Sequence, residues 1–229
     1  MMTTLMLLED DRSLIDGLDY VLRKEGYALD VATTLAEAQT LLMEQSYDLL
    51  LLDLTLPDGN GLSVCEQVRA KGSTVPIIFL TAMDEEMQVI RALDSGGDDY
   101  ITKPFKLGEL CSRIRAQLRR SGMQRQAEGE TLVSGAVRID GARAFLREQA
   151  LELTATELRL LVCFLRNKGQ VLTRQTLLAQ LWDDQGSFVD DNTLSVYIRR
   201  LREKVEDDPS HPQHLRTVRG IGYEWRDEA

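Results

Sequence analysis

The sequence predicts an α/β unit on a five-stranded parallel sheet, followed by a smaller α+β unit. Three observations predict it. In the first half, short apolar runs alternate five times with helix-period stretches. A polar stretch without periodicity, "RRSGMQRQAEGE" (119–130), then breaks the pattern. Beyond it, short runs alternate around glycines, as small antiparallel strands do. The expected division is 1–121, a short flexible linker over 122–130, and 131–229.

The elements follow in order. Apolar runs at Leu5–Leu8, Ala28–Ala32, Leu49–Leu54, Ile77–Leu80 and Tyr100–Ile101 predict the strands. "SLIDGLDYVLRKEG" between the first two places Leu14, Leu18, Val21 and Leu22 on one helix face, with Gly26 as a stop. In the second half, runs broken at Gly135 and Gly141 predict a small antiparallel sheet. "TATELRLLVCFLRNKG" opens with Thr154 and Glu157 at capping-box spacing and closes on Gly169. "TRQTLLAQLW" predicts a second helix, and a third runs from about Asn192 to Val205. "LRTVRGIGYEW" alternates around Gly220 and Gly222 as a hairpin does.

Bulk properties narrow the class. No apolar run approaches the ~18 residues of a membrane-spanning helix. The start, "MMTTLMLLEDD", has no basic region and turns acidic at once, unlike a secretory signal. Cys65, Cys111 and Cys163 are scattered, with no C-x-x-C pair, and are expected as buried thiols in a reducing cytoplasm. The net charge of −10 opposes nucleic acid as a partner, but binding depends on the local field. Residues 1–129 carry 13 Lys and Arg against 21 Asp and Glu, a balance of −8; residues 130–229 carry 14 against 16, a balance of −2. The acidity is concentrated in the first half.

In a parallel sheet, ligands sit at the carboxyl ends of the strands. Glu9, Asp10 and Asp11 follow the first strand, and Asp53 ends "LLLLD". Thr81 and Ala82 follow the fourth strand, and Lys103 and Pro104 the fifth. Converging carboxylates repel unless a cation lies between them. A hard divalent ion such as Mg²⁺ suits oxygen ligands, with Mn²⁺ the alternative. Cations, a hydroxyl and a carboxylate nucleophile together suit phosphoryl transfer onto Asp53. Each residue alone is ordinary at a strand end; the joint pattern is not. Asp58 is expected as a turn residue, Gly59 and Gly61 serve backbone geometry, and 83–87 is expected as a mobile loop.

"LLEDD", "LLDLTLPDGNG", "LTA" and "GGDDYITKPF" make residues 3–121 resemble a response-regulator receiver domain. Residues 131–227 resemble the winged helix-turn-helix effector of the OmpR/PhoB type. The resemblance implies a flavodoxin-like receiver with Asp53 as phosphoacceptor. It implies a metal held by Glu9, Asp10, Asp53 and the Thr55 carbonyl; the run leaves Asp11 open, and the family pattern favours Glu9 and Asp10. It assigns Thr81 and Tyr100 as paired switch residues, Lys103 and Ala82 to the phosphate, and a cis bond to Lys103-Pro104. It implies a homodimer on activation through Asp98, Asp99, Glu109, Arg113 and Arg115. Gln88 and Val89 depart from the family's acidic-basic pair, so Glu109 is expected to lack its partner and the dimer to be altered. The implied partners are a sensor histidine kinase, promoter DNA and RNA polymerase, the last at the loop "WDDQGSFVDD"; no membrane is implied.

The third helix of the second half carries a core stripe of Leu194, Ile198, Leu201 and Val205. At ~100° per residue the opposite face carries Asn192, Thr193, Val196, Arg199, Arg200 and Glu203, flanked by Tyr197, Arg202 and Lys204. An arginine-rich last helix suits a major groove, and an exposed Val196 could touch a thymine methyl. A solvated face with i,i+4 pairs such as Arg199–Glu203 is the plainer alternative. The resemblance assigns Arg199, Arg202, Thr217 and Tyr223 to phosphates or hairpin support, Arg200 to bases, and Arg219 to the wing. His211 and His214 are expected in a solvated loop rather than at a metal. The expected function is a phosphorylation-controlled transcription factor. Two alternatives stand beside it: a DNA-binding regulator that works without phosphorylation, and an aspartyl-phosphate phosphatase. The last would need a second acid at position 55, where Thr55 stands.

Overall fold

The computed structural model describes residues 2–82, 91–126, 131–141, 143–182 and 191–227. It divides into two compact units, Met1–Ser121 and Gly122–Ala229.

In the first unit, β1 (Thr4–Leu8), β2 (Ala28–Ala32), β3 (Leu49–Asp53), β6 (Ile77–Ala82) and β7 (Asp99–Lys103) form one parallel sheet in the order β2-β1-β3-β6-β7. A small hairpin of β4 (Thr55–Leu56) and β5 (Gly59–Asn60) follows β3. The helices are α1 (Arg12–Lys24), α2 (Leu35–Glu44), α3 (Leu62–Ala70) and α4 (Leu107–Gln126). Side chains alternate across a strand, so each apolar run feeds two cores. Leu5, Leu7, Leu49, Leu51, Ile78, Leu80 and Ile101 pack with Leu18 and Leu22 of α1 and Leu110 and Ile114 of α4. Met6, Leu8, Leu50, Leu52, Ile77 and Phe79 pack with Ala38 of α2 and Val64 and Val68 of α3. This double burial is why the strands read as unbroken leucine and isoleucine.

One expectation is corrected here. The helix α4 continues through Gln126, beyond Arg119 where periodicity fades in the sequence. Arg, Met and Gln are good helix formers without an apolar stripe, and Gly122 alone costs only about 1 kcal/mol. Helical backbone thus extends into the stretch expected to be a flexible linker.

The second unit opens with a four-stranded antiparallel sheet, β8 (Thr131–Ser134), β9 (Val137–Asp140), β10 (Arg143–Leu146) and β11 (Gln149–Leu151). Three helices follow: α5 (Ala155–Arg166), α6 (Arg174–Trp182) and α7 (Asp191–Val205). Thr154 and Glu157 form the expected capping box on α5. A closing hairpin of β13 (Leu215–Val218) and β14 (Gly222–Trp225) joins β12 (Val171–Thr173) in the order β12-β14-β13. A Cβ on Gly222 would sit 2.0 Å from the Leu172 carbonyl oxygen, so only glycine lets β14 reach β12 here. All three cysteines are buried, and burial pushes the Cys163 thiol up to about 11.

Candidate functional site

Glu9, Asp53 and Lys103 each lie two residues beyond a core residue, Leu7, Leu51 and Ile101, that faces α1 and α4. The period of two therefore carries all three side chains to one side of the sheet's carboxyl edge. They meet there. The Lys103 ammonium donates to Asp53 Oδ2 at 2.6 Å and to Glu9 Oε2 at 2.7 Å. Thr55 N–H donates to the other Asp53 oxygen at 3.0 Å. Glu9 is fully buried and Asp53 nearly so, while Asp10 is exposed. The Lys103-Pro104 bond is cis, as the resemblance implies.

The run of three acids resolves by local structure. Asp11 is the N-cap of α1, accepting from Ser13 N–H at 2.8 Å and Leu14 N–H at 3.3 Å. Glu9, Asp10 and Asp53 bring ligand oxygens within 4.8 Å of one another. Octahedral Mg²⁺, with bonds of about 2.1 Å, separates its ligand oxygens by about 3–4 Å, so this donor set fits a hard divalent cation. Burial raises the Glu9 carboxyl above the ordinary value; the Lys103 hydrogen bond opposes that, and the Asp53 charge reinforces it. Burial also works against the Lys103 charge, but its hydrogen bonds to Asp53 and Glu9 prevail and its pKa is raised. One ammonium binds two of the three clustered carboxylates, so negative charge remains for a further cation to balance.

Gly61 supports this edge. A Cβ there would lie 2.0 Å from the Asp53 carbonyl oxygen. Asp58 accepts from Leu35 N–H at 2.8 Å and so helps cap α2 rather than joining the acids. Thr81 is buried, with its hydroxyl on the Ala82 carbonyl at 3.2 Å. Phe79 pairs with Tyr100 and Thr81 with Thr102 across β6 and β7, so Thr81 and Tyr100 share a sheet face.

The expected dimer residues do not form one free surface. Asp98 is fully buried, accepting from Arg69 at 2.8 Å and from Ile77 N–H at 3.1 Å. This corrects its assignment to an interface: the carboxylate faces α3 and holds the sheet to it. Asp99 and Glu109 both bind Arg113, at 3.0 Å each, so Glu109 has a partner within its own chain. Arg115 pairs with Glu25 at the end of α1, at 2.8 Å. Gln88 and Val89 lie outside the described residues.

The third helix of the second unit is also corrected. The stripe of Leu194, Ile198, Leu201 and Val205 is buried as expected, but Thr193, Val196, Tyr197 and Arg200 are buried too. α7 packs against both α5 and α6, so its buried arc is wider than one stripe. Val196, at 7% exposure, is not the surface residue that its angle predicts. Arg200 pairs with buried Glu157 at 2.8 Å, and Lys204 with the same carboxylate at 2.6 Å. Arg200 thereby ties α7 to the start of α5, which displaces it from the expected base contact. The exposed line is Ser195, Arg199 and Glu203, with Arg199–Glu203 at 3.8 Å. Asn192 lies in α7, but its side chain is outside the described residues, as is 183–190 of the expected polymerase loop.

Hairpin support is plain for several residues. Arg202 donates to the Leu215 carbonyl and to Thr217 Oγ1, and Arg174 donates to the Tyr223 hydroxyl at 2.7 Å. Burial lowers the Arg202 pKa, partly offset by Tyr223 and Glu206. Arg219 is exposed in the turn beside Gly220, which takes φ +73. The imidazole of His214 stacks on Trp225 and that of His211 binds Asp208, so the two rings serve different partners. Glu206 was not singled out in the sequence, yet it gathers three backbone N–H groups at the root of the hairpin. The one signal for it was the acidic run "EDD" placed directly after a basic helix, and the run does not say which acid turns inward.

The comparisons agree with both halves. Residues 5–115 match the response regulator receiver domain, and 148–225 match the C-terminal domain of transcriptional regulatory proteins. The chain is 42% identical over 226 residues to the sensory transduction protein RegX3 of Mycobacterium tuberculosis, covering 97% of this chain and 98% of that one. It is 38% identical over 224 residues to the regulatory protein VanR of Enterococcus faecium, covering 96% of each. Among solved structures, a RitR mutant superposes with a TM-score of 0.80 at 27% identity, covering 99% of this chain and all of that one. The OmpR/PhoB homologue DrrB of Thermotoga maritima gives 0.53 at 27% identity with the same coverage. Among the described residues no helix is long and apolar enough to cross a membrane. A five-stranded parallel sheet with a carboxylate edge, a winged helix later in the chain and full-length relatives lead to one assignment: the chain belongs to the two-component response regulators that join a receiver domain to an OmpR/PhoB-type DNA-binding domain.

Proposed function

We propose that this transcription regulator is switched by a phosphoryl group on Asp53, delivered by a sensor histidine kinase. The observation that carries this is the Lys103 ammonium shared between Asp53 and Glu9, at 2.6 and 2.7 Å. An Asp53 oxygen attacks the phosphorus of a phosphohistidine; the new O–P bond forms as the P–N bond breaks, and the imidazole leaves with the electron pair and takes up a proton. Lys103 steadies the charge on the transferred oxygens. Glu9, Asp10, Asp53 and the Thr55 carbonyl would hold Mg²⁺ or Mn²⁺. Such an ion supplies positive charge to the phosphoryl oxygens. Thr81, with Ala82 beside it, would then meet the phosphoryl group, and Tyr100 on the same face would follow it inward.

The output would be a homodimer formed through the face of Glu109, Arg113 and Arg115, which pairs two DNA-binding units on adjacent half-sites of a promoter. Linked units bind far more tightly than single ones because the second contact is intramolecular. Arg199 and Arg219 would face the DNA, with Arg202 and Thr217 supporting the hairpin, and RNA polymerase would be the final partner, in the cytoplasm.

Intact-mass measurement and light scattering on the full chain, with Mg²⁺ and a small-molecule phosphodonor, test this. The expected result is a gain of one phosphate and a dimer, both absent in Asp53→Ala. A mass gain without a dimer sinks the receiver-dimer step alone. No gain at all makes this a DNA-binding regulator that works without phosphorylation.

A further inference from the structure

The last helix and the closing hairpin of the second unit are joined at one backbone residue. β13 is the outer strand of the order β12-β14-β13, so among the described residues one of its edges has no strand partner. Such an edge leaves backbone groups open unless something covers it. Here α7 and the residue just after it provide the cover. Leu215 N–H donates to Glu206 Oε1 at 2.7 Å. The Leu215 carbonyl accepts from Arg202 Nε at 2.9 Å and Nη2 at 2.8 Å. Both polar groups of one residue are thus taken by two side chains one helical turn apart. Arg202 Nη2 also donates to Thr217 Oγ1 at 2.8 Å, and Glu206 accepts from Gln213 N–H at 2.9 Å and His214 N–H at 3.0 Å.

This grip is stiff for chemical reasons. Glu206 is buried, and its bonds to backbone N–H are charge-assisted. Releasing them would strand a carboxylate and the His214 and Leu215 donors away from water. The grip also lies at the base of a lever. Arg219 is four residues beyond Leu215, about 13 Å along a strand. A tilt of about 10° at the base moves the tip by about 2 Å, well beyond the about 0.5 Å tolerance of a positioned contact.

We propose that Glu206 and Arg202 are positioning residues that set the hairpin against the DNA-reading helix, so that the contribution of Arg219 to DNA binding depends on them. This rests on the proposal that the exposed side of α7 and the hairpin both face DNA. Glu206 itself touches no DNA; it acts through Leu215.

A double-mutant cycle on the full chain tests it. The probe is a duplex selected from a random-sequence library by the phosphodonor-treated wild type, and affinity is read by fluorescence anisotropy. Arg219→Ala is expected to weaken binding about tenfold, and Glu206→Gln by a similar factor. The double variant is expected to stay near tenfold, because a misplaced hairpin has no Arg219 contact left to lose. Losses that multiply to about a hundredfold would overturn the proposal and make Glu206 a general stabiliser. A silent Arg219→Ala, with the wild type still bound, would refute the placing of Arg219 on DNA, and the coupling would fall with it. If Glu206→Gln loses its helical circular dichroism, Glu206→Asp and Thr217→Val enter the same cycle. The first shortens the carboxylate arm, and the second removes one Arg202 bond.

Discussion

At Asp53 the neighbouring backbone matters as much as the carboxylate. Gly61 comes so close to the Asp53 carbonyl that a methyl group would overlap it. Gly61→Ala is therefore expected to cost about 1–3 kcal/mol through forced backbone movement. Calorimetry of the full chain should show the receiver transition lowered, with the second unit's transition in place. An unchanged receiver transition would mean that the strand end yields freely. Glu9, Asp53 and Lys103 were legible because each stands at the end of an apolar run, where chain order and strand period together decide the position. Asp98 was not, since its partners Arg69 and Ile77 come from other elements. Nothing in "GGDDY" says that both aspartates are buried, Asp98 against Arg69 and Asp99 against Arg113. Arg200 was misplaced for a related reason: helical angle shows what opposes a stripe, but not that a buried Glu157 waits on another helix.

Among the elements, α7 departs most from its expected role. Its arginines divide into one that faces outward, Arg199, and two that bind the protein, Arg200 and Arg202. Arg200→Ala would leave Glu157 buried with Lys204 as its remaining cation of the two. Breaking a buried pair from one side costs about 3–5 kcal/mol. Urea unfolding of the second unit's transition should register that loss, while sequence preference among the molecules still folded should be unchanged. Retained stability with an altered base preference would restore Arg200 to the DNA. The extent of α4 was hidden for a different reason. Beyond Arg119 the sequence carries no apolar period to mark a helix, and good helix formers carry the backbone on to Gln126.

Over the whole chain, a net charge of −10 would repel DNA if it were evenly spread. The balance of −8 in residues 1–129 against −2 in 130–229 leaves the DNA-binding unit close to neutral, so the local field rather than the total decides. Binding should therefore be steeply salt-dependent. A paired complex with on the order of six phosphate contacts should lose about 10³-fold in affinity between 50 and 200 mM salt. Titration of the selected duplex at several salt concentrations reads the slope directly, and a flat line would exclude an electrostatic interface. The triad of Asp99, Arg113 and Glu109 has a last consequence. A surface whose charges are already matched at home offers a newcomer an exchange rather than a gain. Each ion pair that a second molecule made there would replace one given up, so charge pairing alone would add little to association through this face. Such an association would be readily reversed, and a small bias elsewhere in the receiver would be enough to decide it.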